Sequence, residues 1–163
     1  MCKYILFSPI GGTDPIANER DGSMLHICRK YKPDCVMLYL SKEMVERHRR
    51  DGRYCDSLRR LAAHEGFSPE ILVEERPELS EVQVYDFFFQ EFRPLLLSLH
   101  SRFPEHRLIL NIASGTPAMK SALSAGGVSA FPGAPGPDRH ASQGAESPAG
   151  APHGVRCGSI LGV

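Results

Sequence analysis

Four short apolar runs, separated by segments with helical period, constrain the fold of this chain more than any other feature. The runs are Tyr4–Phe7, Cys35–Leu40, Ile71–Val73 and Leu108–Leu110. Runs that are apolar throughout are typical of strands buried on both faces of a sheet that helices cover on each side. Their alternation with amphipathic segments therefore predicts an α/β fold built on a parallel, doubly wound sheet.

The segments between the runs carry the signals of helix starts and stops. Asp21 and Ser41 are placed to cap two helices, and Pro117 suits the first turn of another. The strongest apolar stripe at helical spacing lies before the fourth run and includes Phe88, Phe92 and Leu96. We expect the Phe87–Phe89 run to lie mostly in the core, with one ring left over for a partner.

The composition changes abruptly after residue 124. Of the last 39 residues, 25 are Gly, Ala, Pro or Ser, and no helical or strand period appears before Ile160. Such a segment cannot bury enough apolar surface to order itself, which predicts disorder. We therefore divide the chain into a folded part, residues 1–124, and a disordered low-complexity tail, residues 125–163. The fold is expected to be incomplete, because the helix after the fourth strand is interrupted early.

Charge and cysteine content exclude several classes of protein. Lys+Arg and Asp+Glu are 19 each, so no overall field attracts nucleic acid or an anionic membrane. No run is long enough for a transmembrane span, and no signal peptide is evident at the N-terminus. The five cysteines form no Cys-x-x-Cys pair, which is typical of reduced thiols in a cytoplasmic protein.

Two loops with phosphate-binding chemistry follow the first and fourth runs. The first extends from Ser8 to Pro15 and runs on through Asn18, Arg20, Asp21, Gly22 and Ser23. The second extends from Asn111 to Pro117 and leads to Lys120. If the strand order is 3-2-1-4, these strands are neighbours, and both loops open into one crevice at the carboxyl edge of the sheet. Glycines allow close approach, hydroxyls donate, and helix starts present N–H groups, which together suit a phosphate-bearing ligand.

The same residues also fit ordinary turns, and familiar fingerprints are missing. There is no Gly-x-Gly-x-x-Gly after the first run, and a phosphate-loop alignment on Lys120 puts Ser114 and Met119 where glycines belong. His26 and Cys28 are two residues apart on a predicted helix and point apart, so no metal site is expected. On pattern alone a nucleotide-type site and a structural turn both remain open.

Both loops resemble the signatures of a known family. The sequences are GTDP at 12–15, RDGSMLHI at 20–27 and NIASGTPAMKSAL at 111–123. In this order and at this separation they resemble the N-terminal part of the ancillary ribonucleases of type III-A (Csm) CRISPR systems. The resemblance covers residues 1 to about 124.

The resemblance implies a Rossmann-like CARF sensor domain, which in this family precedes an all-helical HEPN ribonuclease domain. It implies that two sensor domains form a homodimer and hold cyclic oligoadenylate across their shared face, with no metal or other cofactor. At the positions of this sequence that match the family's motifs, the resemblance implies these ligand-binding residues: Gly11, Gly12, Thr13, Asp14, Asn111, Ser114, Gly115, Thr116 and Lys120. Asn111 would support the second loop.

Some sensor domains of this family also cut their own activator. Such a ring nuclease needs mainly an aligned ribose 2′-hydroxyl and donors for the developing charge. Thr13, Ser114 and Thr116 are the candidate catalytic residues, and no general base is evident. A stand-alone ring nuclease is therefore the alternative function implied for this chain.

The ribonuclease signature of the family, Arg followed four to six residues later by His, has no suitable match. It occurs at Arg20/His26, Arg59/His64 and Arg93/His100, all inside the sensor-like part. We expect the chain to lack the HEPN domain, so that an RNA substrate would apply only if that domain were present. The abrupt change after residue 124 suggests out-of-frame translation, and a non-functional fragment is a further alternative.

Overall fold

The structure is a computed structural model that describes residues 2–80, 84–130 and 157–161. Its elements in chain order are β1 Tyr4–Pro9, β2 Ile16–Ala17, β3 Arg20–Asp21, α1 Ser23–Tyr31, β4 Cys35–Leu40, α2 Lys42–Asp51, α3 Arg53–Glu65, β5 Glu70–Glu75, α4 Tyr85–Arg102, β6 Arg107–Asn111, α5 Pro117–Ala130 and β7 Cys157–Leu161. Each of the four apolar runs forms a strand of one sheet, as predicted.

The strands of the main sheet are ordered β5-β4-β1-β6-β7. The first four are parallel, and β1 pairs with β4 on one side and with β6 on the other. This is the predicted 3-2-1-4 order, and it places the ends of β1 and β6 side by side. The α/β Rossmann-like fold class is confirmed.

Two apolar layers cover the two faces of the sheet. Leu6, Val36 and Leu38 belong to the layer formed with α1, α2 and α3. Ile5 and Phe7 belong to the opposite layer, formed with α4 and α5. Neighbouring residues enter different layers because successive side chains of a strand point to opposite faces. A continuous apolar run is therefore what a strand covered on both faces requires.

Helix boundaries agree with the sequence at two positions and differ at one. Ser41 is the N-cap residue of α2, and Pro117 opens α5. Asp21 does not cap α1, since Gly22 holds that position and Asp21 lies in β3, where its carboxylate pairs with Arg29. Asp21 is not the N-cap residue because it belongs to a short antiparallel hairpin of β2 and β3, which the apolar pattern of the sequence does not predict.

The structure differs from the predicted disordered tail in two segments. Helix α5 continues to Ala130, and β7 pairs antiparallel with β6. A helix already formed extends without a new nucleation cost, so a segment of small residues does not end it at once, even though Gly126 and Gly127 are unfavourable in a helix. Residues 131–156 lie outside the described residues, and the division of the chain at residue 124 stays a prediction.

The aromatic stripe of α4 provides a direct test of this packing. Phe92 is 1% exposed, and its ring lies 4.9 Å from that of Tyr39 and 5.2 Å from that of Phe7. Phe87, in the same helix, is 42% exposed. The replacement Phe92→Ala should lower the free energy of unfolding by about 3–5 kcal/mol.

The matched control is Phe87→Ala, which should cost less than about 1 kcal/mol because its ring already contacts water. Urea denaturation followed by circular dichroism measures both variants. Equal losses would contradict the assignment of Phe92 to the core and of Phe87 to the surface.

Candidate functional site

The two predicted loops meet at the carboxyl edge of the sheet. Their backbones pass close to each other at Gly11 and Gly115, because a Cβ atom added to Gly11 would lie 2.9 Å from the backbone nitrogen of Gly115. Gly115 has a φ of +87°, a conformation that other residues rarely adopt. Both glycines are therefore required by the geometry, and the crevice expected from the strand order is present.

Beneath this contact the carboxylate of Asp14 joins three segments of the chain. Its Oδ2 atom accepts hydrogen bonds from the backbone nitrogen of Gly11 (3.1 Å) and from Ser114 Oγ (2.5 Å). Its Oδ1 atom accepts one from the backbone nitrogen of Met24 (3.3 Å). Asp14 thereby ties the first loop to the second loop and to the first turn of α1.

A chain of buried hydroxyl and amide groups leads to this carboxylate. Asn111 Nδ2 donates to Ser8 Oγ and to Ser23 Oγ, each at 2.9 Å. Ser23 Oγ is in short contact with Ser114 Oγ, which donates to Asp14. Because Ser23 accepts from Asn111 and Ser114 donates to Asp14, Ser23 must be the donor to Ser114. We call these five residues, Ser8, Asp14, Ser23, Asn111 and Ser114, the inner network.

Sequence reasoning identified only part of the inner network. Asn111 supports the second loop as expected, since its Oδ1 atom accepts a hydrogen bond from the backbone nitrogen of Ala113 at 3.0 Å. Ser8 and Ser23 were not singled out as site residues, although both are buried. Ser8 follows an apolar run, and Ser23 opens a helix. Serines are common at both kinds of position for reasons unrelated to a ligand site.

The nine predicted ligand-binding residues divide by exposure into two sets. Asp14, Asn111 and Ser114 are at most 3% exposed and direct their polar atoms into the inner network. The remaining six are half-buried or exposed at the crevice, and we call them the outer set: Gly11, Gly12, Thr13, Gly115, Thr116 and Lys120.

The start of α5 contributes to the crevice. Thr116 Oγ1 accepts a hydrogen bond from the backbone nitrogen of Met119 at 3.4 Å, as a capping residue does. Its carbonyl oxygen accepts one from the backbone nitrogen of Lys120 at 3.0 Å. The positive end of the helix, with Lys120 in its first turns, thus belongs to the same edge as the glycine contact.

Electrostatics distinguish Asp14 from an ordinary surface carboxylate. Burial raises the pKa of Asp14 above its usual value of 3.8, and the hydrogen bonds from Ser114, Gly11 and Met24 partly oppose this rise. The carboxyl group of Asp14 is therefore easier to protonate than that of an ordinary surface aspartate.

The described residues include no cluster of three or more His, Cys, Asp or Glu side chains that could hold a metal ion. Within the same part of the chain, no helix is long and apolar enough to cross a membrane. Cys28, Cys35 and Cys55 are buried, and burial raises the pKa of the Cys35 thiol to about 11. These thiols fill the core, as expected.

A cleft of the described part of the chain is remote from the two loops. It has a volume of about 340 Å³ and lies between the end of α3 and the start of β5, with Arg59, Phe67 and Ile71 among its lining residues. The start of a parallel strand lies at the amino edge of the sheet, opposite the crevice. Arg59 and His64, the closest mimic of a ribonuclease motif, are both exposed on α3.

Comparisons with known proteins agree with this geometry. The family model described as the Cas_Csm6 CARF domain matches residues 70–133. The CRISPR system endoribonuclease Csm6 of Mycobacterium tuberculosis is 42% identical over 128 residues, which cover 78% of this chain and 30% of the relative. The Csm6 of Enterococcus italicus is 34% identical over 122 residues, covering 73% of this chain and 28% of the relative.

A solved structure is similar over the same share of the chain. It is described as Enterococcus italicus Csm6 bound to cyclic hexa-2'-fluoro-hexa-dAMP, with a TM-score of 0.68 and 30% sequence identity. The match covers 78% of this chain and 31% of that chain. The chain carries a Csm6 CARF domain. It spans less than a third of the length of the curated Csm6 relatives described above.

The glycine contact of this CARF domain can be tested by one residue pair. Gly11→Ala should lower the free energy of unfolding by about 1–3 kcal/mol, because the new methyl group meets backbone that cannot move without shifting a loop. Gly12→Ala is the control, since nothing lies within 4 Å of its added Cβ atom.

Thermal or urea unfolding measures both replacements under the same conditions. A Gly12→Ala variant as unstable as Gly11→Ala, or two variants as stable as the parent, would contradict the close contact between the loops.

Proposed function

We propose that this CARF domain is the cyclic oligoadenylate sensor of a type III CRISPR antiviral-defence ribonuclease. The observation that carries the proposal is the pair of loops fixed together at the carboxyl edge of a Csm6 CARF domain. A similar Csm6 structure is described as bound to a cyclic hexa-adenylate analogue. Residues 1–124 form the sensor in this proposal, and residues 125–163 form a tail outside it.

The outer set suits a cyclic phosphodiester. Each phosphate carries a negative charge, which Lys120 and the positive end of α5 stabilise. The absence of side chains at Gly11, Gly12 and Gly115 lets a ligand reach backbone N–H groups. Thr13 and Thr116 add hydroxyl donors on the two sides of the crevice.

The inner network has a different role in this proposal. Asp14, Asn111 and Ser114 are the residues that hold the loops, whereas the resemblance implied a supporting role for Asn111 alone and placed Asp14 and Ser114 in the pocket. Their burial supports this division, because a side chain at most 3% exposed contacts a ligand only after the loops move.

A homodimer completes the site in the proposal. A ring with rotational symmetry matches a two-fold pair of identical crevices, so each protomer contributes one copy of the outer set. Ile16, on the hairpin beside the first loop, is 56% exposed, and Val84 and Phe87 at the start of α4 are 49% and 42% exposed. These apolar side chains lie on elements that reach the same edge and would be covered by a second copy.

We place the dimer in the cytoplasm, where the thiols of the cysteines stay reduced.

The relatives are named endoribonucleases. We do not assign that activity to residues 1–124, where the Arg–His spacings fall on sensor elements. Slow cleavage of the ligand remains the alternative function. Thr13 and Thr116 stay its candidate residues, while the hydroxyl of Ser114 is committed to Asp14 and is less suited to the role.

The proposal is tested by calorimetric titration of the full chain with cyclic hexa-2'-fluoro-hexa-dAMP and with smaller adenylate rings. Binding should be saturable at one ring per two chains. Lys120→Gln should weaken the affinity about ten-fold, because a charge-assisted hydrogen bond is lost.

The matched control is Lys30→Gln, which removes a lysine at the far end of α1 and should leave the affinity unchanged. If no ring binds to the folded parent chain, the proposed function is wrong. Equal affinities of the Lys120→Gln variant and the parent would remove Lys120 from the site.

A further inference from the structure

With Asp14 ionised, the hydrogen bonds of the inner network run from Asn111 to Ser23, from Ser23 to Ser114 and from Ser114 to Asp14. Asp14 is the last acceptor in this order, and an ionised carboxylate fills that position without a proton of its own. All three donors to Asp14, two backbone N–H groups and one hydroxyl, match that form.

A proton on Asp14 would change the network rather than break it. The protonated oxygen can donate to Ser114 Oγ, and the hydroxyl hydrogen of Ser114 is then released from the carboxylate. Oδ1 and Oδ2 each keep a lone pair for the backbone N–H groups of Met24 and Gly11. Both protonation states of Asp14 are therefore compatible with the same positions of the loops.

The anion of the proposed function would lie next to this carboxyl group. Thr13 of the outer set precedes Asp14 in the chain, and Gly115 follows Ser114 directly. A phosphate held there places negative charge beside a buried carboxylate, and two like charges in one site disfavour ionisation of the carboxyl group.

Few other charged groups affect the protonation of Asp14. The elements around it carry Arg20 and Asp21 of β3, His26 and Arg29 of α1 and Lys120 of α5 among their charged or titratable side chains, and Tyr54 of α3 interacts electrostatically with Asp14. Arg29 is held by Asp21 and Glu65. Burial is the main cause of the raised pKa of Asp14, and in the described part of the chain no charged side chain contributes to it.

We propose that Asp14 is a positioning residue whose carboxyl group takes up a proton from solvent when the anionic ring occupies the outer set. This inference rests on the proposed function and adds a proton to its binding equilibrium. The proton forms an O–H bond on Asp14, and no bond in the ligand changes. Protonation of Asp14 releases the hydroxyl hydrogen of Ser114 from the carboxylate, while Ser114 stays buried in the inner network.

The sign of the pH dependence follows from this linkage. If binding takes up a proton, affinity is independent of pH below the pKa of Asp14 in the free protein. Above that pKa, affinity falls as the pH rises, by up to about ten-fold per pH unit and per site, until the pKa of the complex is passed. Since burial already raises the pKa of free Asp14, the falling range begins above pH 3.8.

The test is calorimetric titration of the full chain with cyclic hexa-2'-fluoro-hexa-dAMP in buffers of different ionisation enthalpy. The slope of binding enthalpy against buffer enthalpy counts the protons taken up, and it is measured at several pH values between 5 and 8. The parent chain should take up as much as about one proton per protomer within the falling range. The exposed-carboxyl control Asp56→Asn should give the same count.

Two variants separate a titrating role from a merely structural one. Asp14→Asn should bind with no proton uptake, although more weakly, because its amide nitrogen must oppose one of two backbone N–H donors. Ser114→Ala removes a hydrogen bond that lowers the pKa of Asp14, so its proton uptake should shift to higher pH. The Ser114→Ala result decides the matter if Asp14→Asn does not fold.

Binding without buffer-dependent enthalpy in the parent chain would overturn the inference and leave the proposed function intact. Unchanged proton uptake in Asp14→Asn, or an unshifted profile in Ser114→Ala, would also overturn it. Failure of the folded parent chain to bind any ring would instead overturn the proposed function.

Discussion

The arrangement of the candidate site depends on one buried carboxylate. Asp14 accepts hydrogen bonds from the first loop, from the first turn of α1 and from Ser114 of the second loop. An isolated carboxylate in such a place would be costly, and these donors are what make its burial tolerable. The loops are consequently held by the interior of the domain, while their exposed atoms remain available for a ligand. Gly22 shows how closely this centre is packed, since a Cβ atom added there would lie 2.6 Å from Asp14 Oδ1.

The sheet explains why two loops distant in sequence share this centre. Four parallel strands with apolar layers on both faces place the ends of β1 and β6 next to each other. Ser8 and Asn111, at these two ends, are the polar residues where the apolar runs stop, and they are hydrogen-bonded to each other. The site therefore begins where the apolar core ends.

Much of the fold could be predicted from the sequence, because it depends on local patterns. Continuous apolar runs indicated strands covered on both faces, and Ser41 and Pro117 indicated helix starts. The β2–β3 hairpin was missed because it is short and its turn residues, Asn18 and Glu19, have positive φ values without a glycine. The ordered part of the tail was missed because α5 extends through residues whose composition, taken alone, is typical of disorder.

The site was predicted less completely, because the direction of a polar side chain depends on the fold. The two loops and their proximity followed from strand order. Asp14 and Ser114 carry the residue types of ligand contacts, yet they face each other inside the domain. Ser23 belongs to the predicted first loop region, but nothing in the sequence indicated its position between Asn111 and Ser114. Hydrogen-bond partners separated by about 90 residues become evident only once the sheet is assembled.

In the proposed function the first and second loops form one ligand site. Hydrogen–deuterium exchange of the full chain, with and without cyclic hexa-2'-fluoro-hexa-dAMP, tests whether they do. Amides of residues 11–16 and 112–120 should gain protection together, over the same range of ligand concentration. Protection of only one loop, or protection centred on the cleft beside Arg59 and Ile71, would contradict it.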